Sequence, residues 1–172
     1  LVCFGAQLLT PIQILWINLV TDSLMVIPIG LEPPEQKVLR QKPEPKNAPI
    51  LSTRMILRMG LIALLMSSIT LVTYLIADNV LHSPEQANTL AFSALVTMQW
   101  SSALTARGIY ESVFERFKVK NRGFYLALLA GIVLQIAVLF GPLQRAIGVV
   151  PVPPLALAIT SIAAFLIPLI VV

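Results

Sequence analysis

Apolar residues in this chain run on rather than alternate. Stretches of about 20 residues with almost no charge recur, separated by polar or proline-rich connections, and each is long enough to cross the hydrocarbon of a bilayer as a helix. The pattern predicts an all-α, polytopic helical membrane domain over 1–172 with about five full transmembrane helices. Their expected positions are 12–31, 55–76, 87–104, 124–140 and 153–172. A further apolar run, Leu1 to Leu9, is too short to span. It reads as the end of a preceding helix in a longer protein, since no Met begins the chain. No basic start, short apolar run and small-residue cleavage site mark a signal peptide.

The connections differ in character. Pro33, Pro34, Pro43, Pro45 and Pro49 crowd the first long one, which predicts extended, solvated chain over 31–53, either a plain connector or a docking surface for a neighbouring domain. Ser83 followed by Pro84, Glu85 and Gln86 predicts a helix start, with His82 solvent-exposed beside it. The stretch 108–122 predicts a short amphipathic helix along the interface, with Ile109, Tyr110, Val113, Phe114 and Phe117 inward.

Composition supports a membrane setting. The chain is 57% hydrophobic and only 12% charged, with a mean hydropathy of +0.87, against about 25% charged residues in soluble domains. Charge then orients it. Of the 12 Lys and Arg residues, all but Arg145 fall around the first and third connections, which predicts that 31–54 and 108–122 face the cytoplasm. Asp78 to Gln86 then faces the opposite side. The net charge of +4 is topogenic, the lipid bilayer is the expected partner, and no nucleic acid is implied. The single cysteine, Cys3, excludes an internal disulfide and reads as a small buried residue.

One run carries candidate chemistry. Asp22 is the only ionisable residue between Ile12 and Leu31, and Asn18, Thr21 and Asp22 are spaced i, i+3, i+4, which places three oxygen-bearing side chains on one face of an α-helix. A carboxylate at mid-membrane costs about 3 kcal/mol or more and marks an ion pathway by default. Carboxylate, hydroxyl and amide oxygens suit hard cations. Pro28 predicts a kinked or partly unwound helix one to two turns beyond Asp22. In the fourth expected span, Gln99 offers a neutral oxygen that completes a cation site or an interhelical hydrogen bond. Gln135 reads as packing, and Ser67, Ser68, Thr70 and Thr73 as small-residue contacts that bond back to helix carbonyls. On these residues alone, a cation pump, a secondary cation carrier and a non-transporting helical module all stand.

The run Pro11-Ile12-Gln13-Ile14-Leu15-Trp16-Ile17-Asn18-Leu19-Val20-Thr21-Asp22, with Gly30-Leu31-Glu32-Pro33-Pro34-Glu35 after it, resembles the sixth membrane helix and following loop of type II, calcium-pump-like P-type cation-transporting ATPases. Ala94-Leu95-Val96-Thr97-Met98-Gln99 is similar to their eighth helix. The resemblance implies the region from the end of helix five to helix ten. It implies that Asn18, Thr21 and Asp22, with Gln99, bind the transported cation, calcium first and sodium, potassium or protons after it. Gln99 stands where two-site calcium pumps place a glutamate, which implies one site. Ser23-Leu24-Met25-Val26 stands where the family usually has Gly-Leu-Pro-Ala, which implies a shifted break in the helix. Upstream helices and cytoplasmic domains of the same polypeptide, where magnesium-ATP binds and the phosphorylated aspartate lies, are the implied partners. A multi-pass protein of the plasma membrane is the expected setting.

Overall fold

The computed structural model describes residues 2–3, 6–32, 52–107 and 121–171. The expected proline-rich connection over 33–51 and interfacial helix over 108–120 lie outside the described residues. Regular structure among them is helical apart from one strand pair, β1 Val2–Cys3 and β2 Ala6–Gln7, antiparallel with Val2 opposite Gln7. The pair replaces the helix end expected over 1–9. An apolar run this short gains few helical bonds against the cost of nucleation, whereas strand pairing satisfies its backbone groups locally.

The first long helix is built in three pieces: α1 Pro11–Trp16, a π segment Ile17–Asp22 and α2 Ser23–Gly30. Its start is a reciprocal cap. Thr10 Oγ1 accepts from the Gln13 backbone at 3.3 Å, and Gln13 Oε1 accepts from the Thr10 backbone at 3.0 Å. Helix α3, Thr53–Leu81, starts on Ser52, whose hydroxyl accepts from Met55 N. It ends at His82, which takes the left-handed conformation with φ 51° and is exposed as expected. Helix α4, Pro84–Ala106, opens with Ser83 at its cap position and Pro84 first, although the Ser83 hydroxyl makes no capping bond. Then come α5 Arg122–Phe140, the single turn α6 Gln144–Ile147 and α7 Pro154–Val171.

Among the described residues, three helices are long and apolar enough to cross a membrane: Pro11–Gly30, Met55–Leu81 and Arg122–Phe140. The other two expected spans also form helices. Helix α7 is apolar but shorter, and α4 runs 23 residues with a polar content that the first three lack.

Burial explains that difference. Helix α4 is the hub, packed against α2, α3 and α7, and is buried almost all round. Its hydroxyls turn back on their own helix: Thr89 to Glu85 O, Ser93 to Thr89 O and Thr97 to Ser93 O at 2.8–3.1 Å. Small, internally satisfied residues let neighbouring helices approach closely. Ala94 and Ala164 meet there with Met98, all buried, and Ser101 donates to Phe165 O of α7 at 2.7 Å. The outer helices instead expose Leu57, Leu61, Leu64, Leu126 and Ile170, a surface suited to hydrocarbon rather than water. The expected back-bonding in α3 is present at Ser68 and Thr70.

Candidate cation site

Asp22 closes the π segment in mid-helix. A π segment replaces i→i+4 bonds by i→i+5 bonds, is rare, and recurs at functional sites. Its position corrects the sequence-based expectation. A π irregularity lies at 17–22, and α2 continues through Pro28, so the helix is not unwound beyond Asp22. Proline's fixed φ is compatible with the α region, although Pro28 cannot donate to the Leu24 carbonyl. The last turn then tightens, with Glu32 N donating to Ile29 O, and Asn121 Nδ2 donates to the Pro28 carbonyl at 2.9 Å.

The π winding also splits the trio that an α-helix would gather on one face. Each residue of a π segment turns the helix less than in α, so positions three apart splay. Thr21 is buried and its hydroxyl donates to the Ile17 carbonyl. Asn18 is exposed, and Asp22 is half-buried between them.

Gln99 comes from α4 to meet Asp22. Its Nε2 donates to Asp22 Oδ1 at 2.9 Å, across 77 residues of sequence. Gln99 Oε1 is buried with no hydrogen-bond partner. Trp100 Nε1 and both amide atoms of Gln135 share that condition. A Cβ added at Gly131 of α5 would lie 3.3 Å from Trp100 Nε1 and 3.6 Å from Met25 Cε. The α2–α4–α5 junction is thus closely packed, with unpartnered polar atoms inside it. Gln135 is buried in α5. Buried polar groups without partners are costly and call for a physical account.

The donor set is hard and short. Among the described residues, no group of three or more His, Cys, Asp and Glu side chains gathers. A carboxylate and an amide oxygen are what this pair offers a cation. As placed, Gln99 presents its nitrogen, so its amide must turn for Oε1 to serve as a ligand. A groove of about 470 Å³ opens between α3 and α7, lined by Ile69, Val72, Ile76, Ile159, Ala163 and Ile167 among others. None of Asn18, Thr21, Asp22 and Gln99 lines it.

A second polar cluster, at the other end of the same two helices, went unread in the sequence. Arg107 directly follows α4 and holds Glu32, just past α2, in an ion pair at 2.7 Å, with both side chains buried. Burial opposes the guanidinium charge, yet the hydrogen bonds and charges of Glu32 and Tyr125 prevail and raise its pKa above the ordinary arginine value. The readable signal was opposite charges at the ends of two expected spans on the same predicted side.

Residues 6–172 match the family described as cation transporting ATPase, C-terminus. Among curated relatives, the calcium-transporting ATPase of Bacillus subtilis is 32% identical over 166 residues, 92% of this chain and 18% of that protein. Calcium-transporting ATPase 1 of Schizosaccharomyces pombe is 31% identical over 144 residues, 83% of this chain and 16% of that protein. Human calcium-transporting ATPase type 2C member 1 is 33% identical over 140 residues, 80% of this chain and 15% of that protein. The chain therefore spans less than a fifth of the length of these relatives. With its apolar helices and a carboxylate held inside one of them, the chain belongs to the cation-transporting P-type ATPases, as their C-terminal membrane region.

Proposed function

We propose that this chain is the cation-carrying half of the membrane domain of an ATP-driven pump, with calcium as the favoured ion. The observation that carries the reading is Asp22, a half-buried carboxylate in a π segment within a membrane-length helix, bonded to Gln99 of the hub helix. A mid-membrane carboxylate is expensive unless it serves an ion. The relatives named above are calcium-transporting ATPases, which supports calcium ahead of sodium, potassium or protons.

In this reading Asp22 supplies the charge that offsets dehydration of the ion. Gln99 supplies a neutral oxygen once its amide turns, and in the empty state its N–H stands in for the cation. Thr21 and Asn18 flank the ion. The exposed side of Asn18 meets helices encoded elsewhere in the polypeptide, which contribute the remaining ligands. All five helices cross the membrane, α4 as a polar interior span and α7 as a short one. The connections 31–54 and 108–122 face the cytoplasm, where the ATP-hydrolysing domains of the same polypeptide bind magnesium-ATP. The plasma membrane is the proposed location.

The test is Asp22→Asn in the full-length protein. The substitution keeps shape and removes charge. Cation-stimulated ATP hydrolysis should be lost while the protein still reaches the membrane. Stimulation equal to the unsubstituted protein would refute the reading.

A further inference from the structure

The Arg107–Glu32 pair bears on the cation site although it lies well away from it. Arg107 Nε donates to both Glu32 oxygens at 3.1 and 3.2 Å, and Nη2 to Oε1 at 2.7 Å. Nη1 donates to Tyr125 Oη at 3.3 Å. The guanidinium also lies 4.6 Å from the centre of the Phe124 ring and 5.3 Å from that of Tyr125. Asn121 Nδ2 donates to Glu32 Oε2 at 2.8 Å as well as to Pro28 O, while Asn121 Oδ1 caps α5 through Phe124 N. One ion pair thus gathers the end of α2, the end of α4 and the start of α5.

Glu32 lies ten residues beyond Asp22, and Arg107 lies eight beyond Gln99. Along helices these are about 15 Å and 12 Å. The same two helices are therefore joined at three levels, by Gln13 Nε2 donating to Asn88 Oδ1 at 2.7 Å near their starts, by Asp22–Gln99 inside and by Glu32–Arg107 at the end. The π segment lies between the Gln13–Asn88 tie and Asp22, so on the far side of Asp22 the Glu32–Arg107 pair is the tie that limits how far α2 slides along α4. A planar arginine fork on a carboxylate fixes orientation as well as distance. Buried ion pairs add little stability relative to apolar replacements, and their best-attested role is register.

We propose that Arg107 and Glu32 are positioning residues for the cation site: their ion pair sets the axial register of α2 against α4 and so holds Gln99 on Asp22. The proposal rests on the functional reading of Asp22 and Gln99 given above.

The experiment uses the full-length pump in membranes and measures the calcium concentration for half-maximal ATP hydrolysis together with the maximal rate. Arg107→Lys keeps the charge and removes the fork. It should raise the half-maximal concentration roughly 10-fold, as loss of a group supporting a metal ligand does, with the maximal rate of the folded protein within about two-fold. In a Gln99→Ala background the same change should have no further effect on that concentration, because the register then has no ligand to position. Should Arg107→Lys fail to reach the membrane, Arg107→Met combined with Glu32→Met removes both charges together and carries the same expectations. An unchanged half-maximal concentration in the variant that assembles overturns the proposal, as does a shift that adds fully to that of Gln99→Ala. Failure of the underlying reading looks different: Asp22→Asn itself would then leave calcium stimulation intact.

Discussion

The amide nitrogen of Gln99 lies 2.9 Å from Oδ1 of Asp22, so the only carboxylate within Pro11–Gly30 is met by a neutral donor from the hub helix. A hydrogen bond to a charged group contributes about 1.5–3 kcal/mol. That is comparable to the cost of placing the carboxylate at mid-membrane. The Asp22–Gln99 contact is therefore balanced rather than strongly stabilised, which suits the proposed role of Asp22 in releasing Gln99 to an arriving ion.

Gln99→Glu follows from this contact. Because residue 99 faces Asp22, the substitution sets two carboxylates side by side. Divalent selectivity rises with ligand charge, so calcium should bind more tightly, by roughly 10-fold, or a second ion should bind at neutral pH. Equilibrium calcium titration of the full-length variant reads affinity and stoichiometry, and values of both equal to the parent would contradict the geometry.

Gly131 should be intolerant of size. A Cβ there already meets Trp100 Nε1 at 3.3 Å, and Met25 stands behind it. Gly131→Leu should destabilise the membrane domain by about 1–3 kcal/mol through overpacking, pushing α5 off Trp100. Thermal inactivation of the detergent-solubilised protein should shift down by several degrees, whereas Gly60→Leu, at an exposed position with open space around it, should change little.

How much of this was legible in the sequence depends on the kind of interaction. The places of the long helices were readable because hydrophobic length is a local property. The hub role of α4 was harder to see, since a helix buried among helices can be richer in hydroxyls than its lipid-facing neighbours. The Asn18, Thr21 and Asp22 trio was readable as a polar island. Its splitting was not, because the i, i+3, i+4 rule assumes α winding and nothing local announces a π segment. The expected unwinding near Pro28 did not form: α2 runs on to Gly30, and Asn121, remote in sequence, bonds the Pro28 carbonyl in its last turn. The Arg107–Glu32 pair escaped for the same reason: counted as charges, the two residues report topology, and only the fold shows that they touch.

Topology has its own test. Cysteines placed singly at Glu35 and His82, in a background where Cys3 is replaced by serine, should differ in sealed vesicles. A membrane-impermeant thiol reagent should reach one side only, with His82 on the side opposite Glu35. Equal labelling of both would remove α3 from the count of crossings.

The central claim is that Asp22 is the charged ligand of a single divalent site. Equilibrium binding of radioactive calcium to the full-length protein, in the absence of ATP, tests it most directly. One ion should bind per unsubstituted molecule, and Asp22→Asn should abolish saturable binding at micromolar calcium while leaving the protein in the membrane. Two ions per unsubstituted molecule, or one ion still bound with unchanged affinity by Asp22→Asn, would contradict the account.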